Sequence, residues 1–250
     1  MFKPKTERIE KLAKIFPDRI KELSNIFTGK TNIYLDWSNA YHWSSKLKWN
    51  INSKRLKQLL DSFSTINAVY LYNGVLEGDD GSKQFIEEAK TYDYIVISKP
   101  VKIMRLSIDT TGIPSNSPSV LEKFIKKPLL RKLSIETIEF LNAKLKELYD
   151  HGTKYLEVRK CNFDVEIGRD MMLDYERKNA DTFILWSGDS DFADPVKQLM
   201  QDKKKVFIFA TARRVSVELQ ETRVPIYDIQ KIRNFICEPN EIQQDVRGKL

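Results

Sequence analysis

Six short runs rich in β-branched and aromatic residues, 32–36, 68–72, 94–98, 182–186, 205–210 and 226–228, are separated mostly by stretches whose apolar residues recur every three or four positions. Helical patterns fall near Ser53 to Ser64, Lys83 to Thr91, Val165 to Lys178, Phe192 to Gln201 and Ser216 to Thr222. A chain that alternates β and α in this way folds as an α/β protein, with a mostly parallel sheet and helices on both of its faces.

The alternation is interrupted twice. Ahead of it, Ile9, Leu12, Ile15, Phe16, Ile20, Leu23, Ile26 and Phe27 follow helical spacing with Pro17 between two segments, so residues 1–30 read as a helical N-terminal appendage. Within it, residues from about 101 to 157 form an insertion rich in Lys and Arg. The insertion holds a loop at 113–119 and an amphipathic helix from Ile135 to Tyr149. The main domain spans 31–237, and residues 238–250 look like a flexible tail.

Composition narrows the partners. A 250-residue chain that is 41% hydrophobic can bury one sizeable core. Cys161 and Cys237 fit neither a zinc site nor a disulfide framework, and Met1 to Lys14 is charged throughout, without the apolar core of a signal peptide. No stretch approaches a membrane span, so the expected location is the cytoplasm. The formal net charge of +7, with basic clusters at Lys123 to Lys132 and Lys203 to Lys205, suits a polyanion such as RNA or DNA, and equally a merely soluble basic surface.

In an open α/β sheet, ligands gather beyond the carboxyl ends of the strands. There the first run ends in Asp36, followed by Trp37, Ser38 and Asn39; the fourth runs into Ser187, Gly188, Asp189, Ser190 and Asp191. Gly188 allows a tight turn between them. Asp164 opens the helix that precedes the fourth run, and Asp170 lies further along it. Carboxylates converging on one cleft raise one another's pKa values unless a cation neutralises them, and Mg²⁺ or Mn²⁺ takes such oxygen ligands while keeping waters. Carboxylate-held metal beside a basic surface is what phosphodiester hydrolysis needs.

Leu35-Asp36-Trp37-Ser38-Asn39-Ala40-Tyr41, Lys160-Cys161-Asn162-Phe163-Asp164-Val165 and Ser187-Gly188-Asp189-Ser190-Asp191-Phe192 resemble the motifs of the NYN domain family, in its LabA-like branch within the PIN-like nuclease superfamily. The resemblance spans about residues 31–230 without much of the insertion. It implies a PIN-like, Rossmann-like three-layer α/β/α fold with five or six mostly parallel strands, and a metal-dependent endoribonuclease acting on single-stranded or structured RNA. It implies catalytic and metal-binding roles for Asp36, Asp164, Asp189 and Asp191, with Asp170 at a further acidic position, and places Asn39, Lys160 and Ser187 on the substrate side. Trp37 departs from the small residue usual in the family, and Cys161-Asn162-Phe163 is one residue longer than the usual pattern, either of which would alter access to the metal.

Plainer readings compete. Asp36 suits a strand-ending turn, and Asp164 or Asp191 suits a helix N-cap. Asp170 lies about 600° of helical rotation from Asp164, on another face, with Arg169 as a ready partner. His42 and His151 read as structural. Tyr70 and Tyr72 fit the core, leaving Trp43 and Trp49 as the better candidates for stacking on RNA bases. An RNA-binding regulatory module without catalytic activity remains the alternative function. A haloacid-dehalogenase-type phosphatase is disfavoured because Ser38 stands where it would need a second aspartate.

Overall fold

The computed structural model describes residues 1–41, 43–211 and 215–250; His42 lies outside the described residues. The chain divides into two compact units, residues 1–100 with 161–250, and residues 101–160.

In the first unit, strands β1 (Thr31–Asp36), β2 (Ile66–Val75) and β3 (Ile95–Pro100) belong to a six-stranded sheet. In the second, β4 (Lys102–Ser107) and β5 (Tyr155–Lys160) pair with each other. Returning to the first unit, β6 (Thr182–Trp186), β7 (Lys205–Ala210) and β8 (Ile226–Asp228) complete the sheet in the order β3-β2-β1-β6-β7-β8, every neighbouring pair parallel. The strand order reverses direction between β1 and β6, and all residues of these two central strands are buried. A parallel sheet covered on both faces buries its central strands along their whole length, and in β1 the buried polar residues Thr31, Asn32 and Asp36 flank Ile33, Tyr34 and Leu35.

Two acidic side chains set the helix Asp164–Glu176 against the sheet. Asp174 is buried and accepts hydrogen bonds from Asn32 Nδ2 (2.8 Å), Tyr34 Oη (2.8 Å) and Asn179 Nδ2 (3.2 Å). One turn back, Asp170 accepts from Tyr72 Oη of β2 at 2.9 Å. Ile167 and Met171, fully buried, fill the space between helix and sheet. Burial, reinforced by Asp174, holds the Tyr34 hydroxyl well above its ordinary pKa, so it acts as a permanent donor.

The helices Glu7–Ile15 and Pro17–Ile26 are capped and separated as their sequence requires: Thr6 accepts from Ile9 N, and Pro17 occupies the first turn of the second helix. Leu12 and Leu23 sit in the main core. Residues 238–250, expected as a flexible tail, are instead folded down. Ile242 and Val246 are buried, Asn234 and Gln243 exchange two hydrogen bonds, and Asn50 N donates to Glu241 Oε2 at 2.7 Å. Their apolar spacing of four residues in a polar stretch is too weak a pattern to read without the surface it meets.

The 101–160 unit has its own small apolar cluster, in which Leu121, Leu130 and Ile138 meet Leu141 and Leu145 of the helix Ile135–Asp150. Asn142 ties the preceding loop to this helix by donating to the carbonyls of Ser115 and Ser117 (2.7 and 2.8 Å). The antiparallel β4–β5 ribbon was not legible in sequence, because most of its residues are exposed and no buried face enforces alternation. Among the described residues, no helix is long and apolar enough to cross a membrane.

If Asp174 anchors its helix, Asp174→Ala leaves three donors without their acceptor and lowers unfolding free energy by about 2–4 kcal/mol, while Tyr34→Phe costs about 1 kcal/mol. Urea denaturation with an unchanged m-value checks both; an Asp174→Ala midpoint equal to wild type would show that the helix is held by other contacts.

Candidate metal centre

Asp36 leaves β1 at the point where the sheet changes winding direction, the position at which an open α/β sheet forms its crevice. Its carboxylate is oriented from two sides. Oδ1 accepts from Asn39 N (3.1 Å), and Oδ2 accepts from Ser187 Oγ (3.3 Å) just beyond β6. Ser187 is fully buried, so its hydroxyl, expected on the substrate side, aligns Asp36 instead.

The chain then turns through the acidic segment. Asp189 N donates to Ser187 Oγ (3.3 Å), and Asp189 Oδ1 accepts from Asp191 N (3.3 Å), capping the single 3-10 turn Ser190–Phe192. The capping role expected of Asp191 therefore falls to Asp189. Ser190 Oγ lies between the two acids, 3.3 Å from Asp189 Oδ1 and 3.4 Å from Asp191 Oδ1. The result is an arc from Asp36 to Asp189 to Asp191, in which the Ser187 hydroxyl joins the Asp36 carboxylate to the Asp189 backbone N–H and the Ser190 hydroxyl joins the Asp189 and Asp191 carboxylates.

Asp164 closes the arc from the other side. Asn162 Oδ1 accepts from its backbone N–H (2.8 Å), fixing the start of the helix Asp164–Glu176. Its carboxyl pKa is raised to about 7, first by burial and then by Asp191 and Asp189, against which only Asn162 pulls downward. With all carboxylates ionised, Asp164 Oδ2 is buried without a hydrogen-bond partner among the described residues, and protonation would let it donate to Asp191. Asp164 and Asp191 line one open cavity of about 610 Å³ with Arg169 and Asp194.

Two residues beyond the sequence candidates complete the surroundings. Lys99, at the end of β3, pairs with Glu166 in the first turn of the same helix (2.5 Å) and lies 4.6 Å from the centre of the Phe163 ring. Burial raises the Glu166 pKa, but the Lys99 bond and charge outweigh it and hold the carboxyl below its ordinary value. Glu166 Oε2 is a second buried carboxylate oxygen without a partner among the described residues. The Cys161 thiol is pushed up mainly by burial, with Lys99 opposing and Glu166 and Asp36 adding, which marks these groups as its neighbours. The available sequence signal was position alone, since Lys99 follows a strand run just as Asp36 does.

The other candidates fall elsewhere. Asp170 is held by Tyr72 and, through Nε and Nη2 at 2.9 and 2.7 Å, by Arg169. Its oxygens are thus already engaged. Asn39 acts on Asp36 through its backbone. Lys160 is the exposed last residue of β5, in the 101–160 unit. Trp37 is buried and stacked on Phe85 at 4.9 Å, while Trp43 and Trp49 are core residues at 2% exposure rather than exposed stacking platforms.

As the side chains stand, no three described His, Cys, Asp or Glu residues are gathered tightly enough to hold a metal ion. The donor set nonetheless fits a hard divalent cation. All four acids offer oxygen, Asp164 lies within electrostatic reach of Asp189 and Asp191, Asp36 is linked to the Asp189 backbone through Ser187, and Asp164 carries a buried oxygen with no partner among the described residues, beside a helix N-terminus that cannot neutralise several charges by itself.

Three similarities bear on this arrangement. A family model described as the NYN domain matches residues 111–229, a range that includes Asp164, Asp189 and Asp191 but begins after Asp36. The low amplitude and bright protein LabA of Synechococcus elongatus is 31% identical over 94 residues, 37% of this chain and 48% of the relative, so the match spans about half of that protein. A crystal structure of a protein of unknown function from Vibrio parahaemolyticus superposes with a TM-score of 0.51 at 18% identity, covering 85% of this chain and 98% of the other. That likeness speaks to the fold alone.

Because Asp164 is raised in the fold from the carboxylate range to about 7, the folded chain binds more protons than the unfolded one between about pH 4 and 7. Metal-free protein therefore loses stability as pH rises across that window, and Asp164→Asn flattens the decline. Thermal unfolding in EDTA from pH 4.5 to 7.5, in about half-unit steps, tests this; equal slopes for both proteins would count against the Asp164 assignment.

Proposed function

We propose that this chain, similar to the NYN domain family and to LabA, is a PIN-like endoribonuclease dependent on Mg²⁺ or Mn²⁺. The observation that carries the reading is the arc of Asp36, Asp189, Asp191 and Asp164 at the switch point of the sheet, with a buried carboxylate oxygen left unpartnered.

Asp36, Asp164, Asp189 and Asp191 would hold the cation, with Asp170 kept out of reach by Tyr72 and Arg169. When bound, such an ion supplies an activated water and stabilises the leaving oxygen of a phosphodiester. Ser187 and the Asn39 amide present Asp36 at a fixed angle, which limits the rearrangement needed on loading. Asp164 gives up its proton when the ion binds, so loading strengthens as pH rises toward about 7 and levels off above it. Lys99 offsets part of the negative charge through Glu166. Lys160, exposed and four residues before Asp164 in sequence, is suited to a backbone phosphate.

RNA as substrate rests on the family and on the net charge of +7, with Lys126, Lys127, Arg131 and Lys132 exposed on the 101–160 unit. One observation favours the alternative of an RNA-binding regulatory module, namely that no three of the described acids are gathered into a coordination shell.

Cleavage of labelled single-stranded and hairpin RNA and matched DNA, in Mg²⁺, Mn²⁺ or EDTA, decides between them. Metal-dependent cutting that drops at least about a hundredfold in both Asp36→Asn and Asp189→Asn is the expected result. RNA binding without cleavage in either metal would transfer the assignment to the regulatory module.

A further inference from the structure

Beside the carboxyl end of β1 lies a cleft of about 490 Å³ that the proposed chemistry does not use. It begins at Trp37, one residue after Asp36, and Trp37, Tyr41, Trp49, Phe85 and Tyr92 form its aromatic walls. The walls are not equivalent. Trp37 and Trp49 are 8% and 2% exposed, anchored in the core and stiff, and Trp37 is backed by Phe85 with the rings 25° apart. Tyr41, at the rim, is 65% exposed.

The rim is polar. Lys54 is exposed, with Nζ 5.7 Å from the centre of the Tyr92 ring, and Glu88 also lies on the lining. Asn52 Nδ2 is tied to Glu238 Oε2 and Asn50 Nδ2 to Glu241 Oε1, both at 2.9 Å, so that side of the opening is already ordered. Closely packed interiors leave few gaps larger than a water molecule, and a space this size, with Tyr41, Phe85 and Tyr92 offering ring surface and the indoles of Trp37 and Trp49 buried, has the dimensions of a ligand site.

We infer that this cleft is a base-binding subsite for single-stranded RNA. The inference rests on the ribonuclease reading and adds how the strand is held next to the metal-binding acids. A nucleobase has two flat apolar faces and a polar edge, which match aromatic walls and a rim of Lys, Glu and Asn, and the phosphate attached to it meets the Lys54 cation. Trp37 on the cleft lining directly follows Asp36 in the chain, which sets the cleft beside the end of β1 that carries the first of these acids. A duplex cannot use the cleft without unstacking a base, so the subsite selects single strands.

The test measures affinity in EDTA for short oligouridylate and oligoadenylate and for a blunt RNA duplex, by anisotropy and by quenching of tryptophan emission. Tyr41→Ala is expected to weaken single-strand binding about tenfold, with Tyr41→Phe close to wild type and duplex affinity unchanged. Lys54→Ala, at an exposed position that does not bear on folding, is expected to lower the salt dependence of single-strand binding by close to one phosphate contact. Wild-type affinity in Tyr41→Ala without quenching in the native protein overturns the subsite. Because binding is read without metal, the two proposals separate: this binding pattern in a protein that never cleaves overturns the nuclease and keeps the cleft, whereas cleavage with an unchanged KM in Tyr41→Ala overturns the cleft alone.

Discussion

The hydrogen bonds from Asn32 and Tyr34 to Asp174 fix the position of everything that follows. Asn32, Tyr34 and Asp36 alternate along β1 and so share one face of the sheet, and the helix Asp164–Glu176 lies over that face with its last turn on the first two. Ten residues of helix from Asp174 back to Asp164 cover about 15 Å, and four residues of strand from Asn32 to Asp36 cover about 13 Å. Anchored at Asp174 and running opposite to β1, the helix therefore brings Asp164 to the level of Asp36. A buried carboxylate is an expensive anchor, but with three donors on it the position is over-determined, and a polar contact of this kind permits no register shift in the way an apolar surface would.

That placement creates an electrostatic conflict at the other end of the helix. Asp164 is driven next to Asp189 and Asp191 in a partly buried crevice, and no described residue offers Asp164 Oδ2 a donor. Glu166, one residue pair on, meets the same difficulty and is relieved by Lys99. Where the fold supplies a lysine the carboxyl pKa falls, and where it supplies none the pKa climbs to about 7 and waits on a proton or an external cation. A fold selected only for stability would place a basic residue there too.

Much of the sheet was legible because β1 and β6 are buried along their whole length, leaving β-branched and aromatic runs with no ambiguity of face. Asp36, Asp164, Asp189 and Asp191 stood out as acids following or preceding such runs in motif order. What sequence could not supply were contacts that exist only after helices dock: Lys99 reaching Glu166, Asp170 taken up by Tyr72 as well as the neighbouring Arg169, and Ser187 turned inward onto Asp36. Trp43 and Trp49 misled for a related reason. They occupy a segment of short turns that looks like a loop, yet both fold into the core, while Tyr41 is exposed. The β4–β5 ribbon and the C-terminal residues lacked the periodic burial that a sequence pattern records.

The 101–160 unit interrupts the domain at a place where interruption is cheap. β4 leaves the sheet's last early strand and β5 returns to the helix of Asp164, and Lys102 lies directly opposite Lys160 in their antiparallel register. The two ends of the insertion are therefore clasped together however long the chain between them, and the entropy of closing a loop grows only slowly with its length. Two lysines facing each other across a ribbon repel, a small cost that apolar pairs further along, Met104 with Val158 and Leu106 with Leu156, can offset. An insertion clasped in this way can vary in content without moving Asp164, whose position is set from the far end of its helix by Asp174.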